Sequence, residues 1–114
     1  MIKTIDIQSG ETAGLYQYLS AAVTPRPIAF VSTIDAEGNE NLSPFSFFNV
    51  FSINPPILVF SPVRRVRNNT SKHTLDNVHQ VKECVISLVT DEIAQQVSLA
   101  SCDFEKETNE FEKA

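Results

Sequence analysis

The chain contains few glycines and few cysteines, and each shortage excludes a class of protein. Only 3 of its 114 residues are glycine, and none has the spacing of a dinucleotide-binding or P-loop phosphate motif. A Rossmann or P-loop enzyme is therefore excluded. The 2 cysteines, Cys84 and Cys102, lack the paired short spacing of zinc sites and the density of a disulfide scaffold. We expect both to be free thiols.

The sequence also lacks a long apolar run and an excess of basic residues. Pro, Ser or Asn interrupts each apolar stretch before the roughly 20 residues of a membrane-spanning helix. Residues 1–10 lack the basic flank and apolar segment of a signal peptide. The formal net charge is -5, whereas nucleic acid and anionic membranes attract proteins rich in Lys and Arg. We therefore expect a cytoplasmic protein that binds neither nucleic acid nor membrane.

Length and composition indicate a single small domain over residues 1–114. Hydrophobic residues make up 42% and charged residues 20% of the chain, which is ordinary globular usage. Short apolar runs predict strands at residues 2–7, 27–34, 57–60 and 84–89. Apolar spacings of three and four predict helices at residues 11–22, 72–81 and 91–100. In the second helix Leu75, Val78 and Val81 would share a face, and in the third Ile93, Val97 and Ala100 would do so. These elements favour a mainly β fold, as a small β-barrel with short helices or an α+β sheet.

Prolines shape the first half of the chain. Pro25 and Pro27 hold the backbone around Arg26 extended. The Gly-bearing loop at residues 35–39 predicts a hairpin between the strand at 27–34 and a strand that begins near residue 40. Pro44 cannot donate to a strand ladder, so it requires an edge, a bulge or a departure from the sheet. Backbone groups near Pro44 are therefore expected to be unpaired.

No residue pattern specifies a metal site or a nucleophile. His73 and His79 are six residues apart on a predicted helix and so face different directions, which makes them poor joint metal ligands. No serine stands in a Gly-x-Ser-x-Gly elbow. Carboxylates are scattered or bunched near the C-terminus, as on a solvated surface. We expect no metal, and covalent catalysis has no support.

Two segments remain as candidates for ligand binding. A basic island precedes a predicted helix start, where guanidinium groups and free backbone N–H groups suit a phosphate monoester; it contains Arg64, Arg65, Arg67 and Lys72. Residues 43–48 offer unpaired backbone groups, two hydroxyls and three aromatic rings, which suit a planar heteroaromatic ligand. The alternatives are a solvated basic loop and a core edge with a proline bulge.

The order and spacing of several segments resemble a known family. Residues 24–33, Gly38 and residues 41–48 resemble the opening signature of the FMN-binding flavin reductase-like proteins. The likeness continues through residues 55–56, 60–61, 72–77 and 109–114, and so covers nearly the whole chain. It implies a split β-barrel, a homodimer with FMN near the interface, and reduction of flavin by NADH or NADPH. FAD stays open as the alternative flavin.

The resemblance also implies positions for the cofactor. The residues that would line the isoalloxazine are Ser43, Pro44, Phe45, Ser46 and Phe47, with Asn49 beside them and Arg26 approaching from the preceding strand. The residues that would hold the ribityl chain and phosphate are Ser61, Arg64, Lys72 and Thr74. His73 stands where relatives commonly have Asp in a Lys-Asp-Thr motif, so hydrogen bonding around the phosphate is expected to differ. No catalytic side chain is assigned.

The chain ends where members of the family continue with further strands. We therefore expect an incomplete barrel with exposed sheet edges, and either another polypeptide completes the barrel or the sequence is a fragment. Two functions stay open. One is an oxidoreductase that transfers hydride between NAD(P)H and flavin; the other is a non-catalytic flavin-binding or assembly module.

Overall fold

The computed structural model describes residues 2–8, 12–62, 73–101 and 110–113. In these ranges the elements are α1 (Thr12–Ala22), β1 (Ala29–Ile34), β2 (Glu40–Phe45), β3 (Phe48–Ile53), β4 (Pro56–Phe60), α2 (His73–Val81), β5 (Val85–Leu88), a 3-10 turn (Asp91–Ile93), α3 (Ala94–Ala100) and α4 (Glu110–Lys113). The helices and strands predicted beyond residue 10 are confirmed, with shifted ends. None of the helices in these ranges is both long enough and apolar enough to cross a membrane.

The strand predicted at residues 2–7 is wrong. Residues 2–8 form neither helix nor strand, and the side chains of Ile2 and Ile7 are 94% and 71% exposed. The alternation of apolar and polar residues is short and imperfect, and its third apolar side chain, that of Ile5, is also exposed. Without a buried face, the pattern has nothing to fix a strand in place.

In the described ranges, five antiparallel strands form two separate sheets. One sheet has the order β2-β1-β5, and the other pairs β3 with β4. The β1–β2 hairpin pairs Ala29 with Phe45 and Ile34 with Glu40. Its loop is held by Asp35, whose Oδ1 accepts the N–H groups of Glu37 and Asn39 at 2.9 Å. Gly38 occupies the left-handed region with φ +93, which a residue without Cβ adopts at low cost.

Two apolar clusters cover opposite faces of the three-stranded sheet, because successive side chains of a strand point to opposite sides. The first contains Ala29, Val31, Phe45 and Phe48, with Phe60 and Ile86 packed against it. The second contains Phe30, Leu42, Val97 and Ala100, with Val89 and Ile93. The predicted helix face of Ile93, Val97 and Ala100 is thus confirmed.

Helix α2 packs on the sheet through polar side chains. Asn41 Nδ2 donates to Thr74 Oγ1 at 2.9 Å, and Asn77 Nδ2 donates to Thr33 Oγ1 at 3.1 Å. All four residues are buried. The apolar residues predicted to share a face of this helix are only half-buried: Leu75, Val78 and Val81. The reason is that the sheet presents a hydroxyl and an amide at this point, so polar partners bury best there.

The chain passes from one sheet to the other through a bend at residues 46–47. Pro44 lies on β2, an edge strand of the described three-stranded sheet, which confirms one of the alternatives predicted for it. The second sheet has a register shift between Val50 and Ser52. Among the described strands the two sheets do not close on each other, so the fold is a split β-barrel that is incomplete in these ranges.

Candidate functional site

A groove of about 470 Å³ lies between α1, the bend at residues 46–47 and the β3–β4 hairpin. Leu19 of α1 and Val23, directly after the helix, contribute apolar side chains to it, and so do Phe47, Phe51 and Val59. Its polar lining residues are Arg26, Ser46, Asn49 and Ser61. This volume falls in the range of small-molecule pockets, which combine apolar walls with a few placed polar groups.

The bend at residues 46–47 is anchored on both sides. Phe45 before it and Phe48 after it are 4% and 9% exposed and belong to the same apolar cluster. The N–H of Ser61, just beyond β4, donates to the carbonyl of Phe47 at 2.9 Å. Because both anchors are buried, Ser46 and Phe47 are held between the two sheets without taking part in a strand. The end of β4 brings Ser61 to the same place.

Arg26 reaches the groove from the segment between α1 and β1. Its Nη1 donates to the carbonyl of Ser20 at 2.5 Å and to the carbonyl of Val23. Its guanidinium carbon lies 5.4 Å from the ring centre of Phe47, within the range of a cation–π contact. The Nε atom is buried and has no hydrogen-bond partner among the described residues. Arg26 therefore places a permanent positive charge beside an aromatic ring at the groove.

The other polar residues offer both donors and acceptors. The Oδ1 atom of Asn49 accepts the N–H of Val50 at 2.8 Å, which directs its amide nitrogen, a pure donor, away from that contact. Ser46 and Ser61 carry hydroxyls that donate and accept. Among the described residues, no carboxylate, imidazole, ammonium or thiol lines the groove. The site can therefore bury and hydrogen-bond a planar ring, while any redox chemistry must come from the ligand.

The structure brings together five of the residues that the sequence assigned to the cofactor. All five line the groove: Arg26, Ser46, Phe47, Asn49 and Ser61. Two others lie outside the described residues, and so does the basic island to which they belong: Arg64 and Lys72. The predicted phosphate site therefore stays a prediction from the sequence.

Four assigned residues lie outside the groove lining. Ser43 and Pro44 are half-buried on β2, opposite Val31 and Phe30 of β1. Phe45 belongs to the core. Thr74 is 1% exposed, and its hydroxyl accepts the hydrogen bond from Asn41. These residues support the bend and helix α2 from within the protein.

Sequence reasoning missed the walls that α1 and the hairpin add to the groove. Leu19 and Val23 precede Arg26 by a few residues, so the end of α1 had to lie near Arg26. This closeness in sequence could have indicated that the two residues belong to the same site. Phe51 lies at the register shift of β3 and is 70% exposed; no sequence pattern marks it as a site residue. Cys84 is a free, exposed thiol away from the groove, and Cys102 lies outside the described residues.

Comparison with curated proteins gives relatives of greater length. The chain is 44% identical over 106 residues to an uncharacterized protein of Aquifex aeolicus, a match that covers 91% of this chain and 54% of that protein. Three further relatives are covered over 42% to 48% of their length. The chain thus spans about half the length of the curated relatives it matches.

Solved structures with the same arrangement support the fold. Nitrilotriacetate monooxygenase component B from Bacillus cereus superposes with a TM-score of 0.88 at 25% identity, covering 98% of this chain and 55% of that one. A Shewanella frigidimarina protein with a split barrel domain gives 0.73 at 27% identity, with 93% and 50% covered. A family model described as the flavin reductase like domain matches residues 21–114. That match includes the bend, the hairpin and α2, and the chain belongs to the flavin reductase like domain family.

Proposed function

We propose that residues 1–114 act as a flavin reductase-like FMN-binding domain that transfers hydride between NAD(P)H and flavin. The observation that carries this proposal is the groove beside the bend. Five residues that the family resemblance assigned to FMN line this one cavity of about 470 Å³. Membership of the flavin reductase like domain family supports the same cofactor class.

The residues of the groove fit a flavin ring. Apolar side chains on α1 and on the hairpin can cover the faces of a planar tricycle, and the hydroxyls of Ser46 and Ser61 can bond its polar edge. Arg26 adds positive charge, which suits a ring system with electronegative edge atoms. For the phosphate of FMN we retain Arg64 and Lys72, on sequence grounds. FAD is the alternative flavin.

The protein's part in the reaction is binding and orientation. When bound, the flavin supplies the hydride chemistry. Phe47 and its neighbours would exclude water on one side, while Ser46, Asn49 and Ser61 would fix the ring in its plane. Hydride transfer requires donor and acceptor in close, aligned contact, so a nicotinamide needs access to the ring. Phe51, largely exposed, marks the side from which such access is available.

We also propose that the protein is a homodimer in the cytoplasm. Apart from the residues that line the groove, the β3–β4 hairpin exposes a set of large apolar side chains: Val50, Ile53, Ile57 and Leu58. A two-stranded sheet is marginal by itself, and contiguous apolar patches of this kind mark interaction surfaces. Sedimentation across a range of protein concentrations should show a dimer, and FMN should raise the melting temperature. A folded monomer at every concentration, with and without FMN, would contradict this part.

The second candidate is a non-catalytic flavin-binding or assembly module. The observation that favours it is that the two described sheets stay open, so another chain could complete the barrel. Steady-state oxidation of NADH and of NADPH with added FMN separates the two functions. An oxidoreductase accelerates turnover with at least one nicotinamide, whereas a binding module changes flavin fluorescence without turnover. Protein that does neither would contradict both.

A further inference from the structure

Helix α1 is weakly held by the rest of the described structure. Its large side chains remain substantially exposed, 44% for Tyr16 and 53% for Leu19. Helices of this length are marginal in water without tertiary contacts. Two described contacts connect α1 and the segment after it to Phe47 in the bend: the Tyr16 ring centre lies 5.9 Å from the Phe47 ring centre, and the Arg26 guanidinium lies over the Phe47 ring.

Arg26 grips the C-terminal end of this helix. Its guanidinium carries five N–H donors. Nη1 donates hydrogen bonds to the carbonyls of Ser20 and Val23, and Nε is buried. The last carbonyls of a helix lack intrahelical partners and carry the negative end of its dipole. A cation at that position therefore satisfies them and stabilises the helix end. This part of the guanidinium faces the protein rather than the groove.

We infer that Arg26 is a positioning residue that fixes the α1 wall of the groove. By bonding the helix end and stacking on Phe47, it sets the separation between Leu19 and Val23 on one side and the bend on the other. The groove thereby keeps the width that a planar ring requires. The ligand part of this inference rests on the proposed function; the mechanical part, that Arg26 holds α1, does not.

Hydrogen exchange measured by mass spectrometry on the full chain tests the mechanical part without flavin. In Arg26→Gln, amides of residues 12–22 should exchange roughly tenfold faster, since a charged hydrogen-bonding tie to the helix end is lost. Amides of β1 and β2 should be unchanged. Lys3→Gln is the matched control, because Lys3 also contacts α1, through Tyr18, but outside the groove. Arg26→Lys keeps the charge but not the planar fork, and should exchange at an intermediate rate.

Flavin titration tests the ligand part. A wall that contacts the ring affects FMN and riboflavin alike, so Arg26→Gln should weaken both by the same factor, on the order of tenfold. Unchanged α1 exchange in Arg26→Gln would overturn the inference, and a loss of flavin affinity alongside it would make Arg26 a direct ligand instead. If the amides of β1 and β2 also exchange faster in Arg26→Gln, the exchange of α1 is compared in Arg26→Lys instead. Exchange of α1 at the wild-type rate in Arg26→Lys would overturn the inference. Wild-type protein that binds neither flavin would defeat the proposed function and leave the exchange result standing.

Discussion

The side-chain amide of Asn41 on β2 donates a 2.9 Å hydrogen bond to the hydroxyl of Thr74 in the first turn of α2. The parallel bond from Asn77 to Thr33 lies one helical turn further along. Because buried polar groups are costly when unpaired, the two bonds fix where α2 sits on the hairpin. They add specificity to a contact that apolar packing alone would leave less defined.

Thr74→Val should lower the free energy of unfolding by about 1–3 kcal/mol, since it leaves the buried Asn41 amide without its acceptor. Urea denaturation measures this. Thr74→Ser keeps the hydroxyl and should be milder, and the double variant Asn41→Leu with Thr74→Val should lose less than the sum of the single losses. If Thr74→Val is as stable as wild type, the Asn41–Thr74 hydrogen bond does not stabilise the protein. A reduced preference for FMN over riboflavin in Thr74→Val, restored in Thr74→Ser, would return Thr74 to the phosphate site that the sequence predicted.

Lys82→Gly should stabilise the protein by about 0.5–1 kcal/mol. Lys82 follows α2 with φ 63, a left-handed conformation that strains a residue with a Cβ by roughly 1–2 kcal/mol and that glycine adopts freely. Thermal unfolding of Lys82→Gly and Lys82→Ala provides the comparison. Alanine keeps the strain and should leave the melting temperature nearly unchanged; equal gains from both variants would show that the backbone at this position is not the cause.

Much of the fold could be predicted from local pattern. The β1–β2 hairpin followed from an apolar run ending at a Gly-bearing loop, and α3 followed from the spacing of Val97 and Ala100. The false strand at residues 2–7 shows the limit of such patterns, because alternation forms a strand only where a buried surface receives one face. The break between β2 and β3 was predicted in part. Pro44 indicated an interruption of the strand, but the bend begins two residues later.

The candidate site was predicted in part. The residues that were assigned to the cofactor and line the groove are Arg26, Ser46, Phe47, Asn49 and Ser61. Phe45 was assigned to the ring and lies in the core. Phe45 ends β2 and Phe47 lies in the bend two residues later, and composition does not encode which of the two rings is buried. Asn41 and Asn77 lie within the segments that resemble the family, but no role was assigned to them. A buried polar residue indicates a hydrogen-bond partner only once the surface opposite it is known.

Phe45 and Phe51 should respond oppositely to truncation. Phe45→Ala removes a core ring and should lower the free energy of unfolding by about 3–5 kcal/mol. Phe51→Ala removes a mainly exposed ring and should change that free energy by no more than about 0.5 kcal/mol, while weakening flavin binding through lost contact in the groove. Chemical denaturation and flavin titration of the two variants measure both effects. A strongly destabilised Phe51→Ala would instead place this ring in a buried interface.

Arg64→Gln and Lys72→Gln should each reduce the preference for FMN over riboflavin. A hydrogen bond to a charged group contributes about 1.5–3 kcal/mol, which corresponds to roughly 10- to 150-fold in affinity. Riboflavin lacks the phosphate, so its affinity should stay near the wild-type value in both variants. The two dissociation constants, measured side by side, check this. If the wild-type protein binds FMN and riboflavin with equal affinity, the basic island does not bind the phosphate.

Fluorescence titration of FMN with the purified protein shows whether the groove is a flavin site. We expect saturable binding near one FMN per chain. In Ser46→Leu, which fills the groove, binding should be at least about tenfold weaker, while Ser87→Leu, at an exposed serine of β5 outside the groove lining, should bind as wild type. FMN fluorescence that the wild-type protein leaves unchanged, from colourless and folded material, would contradict the claim that this groove is a flavin site.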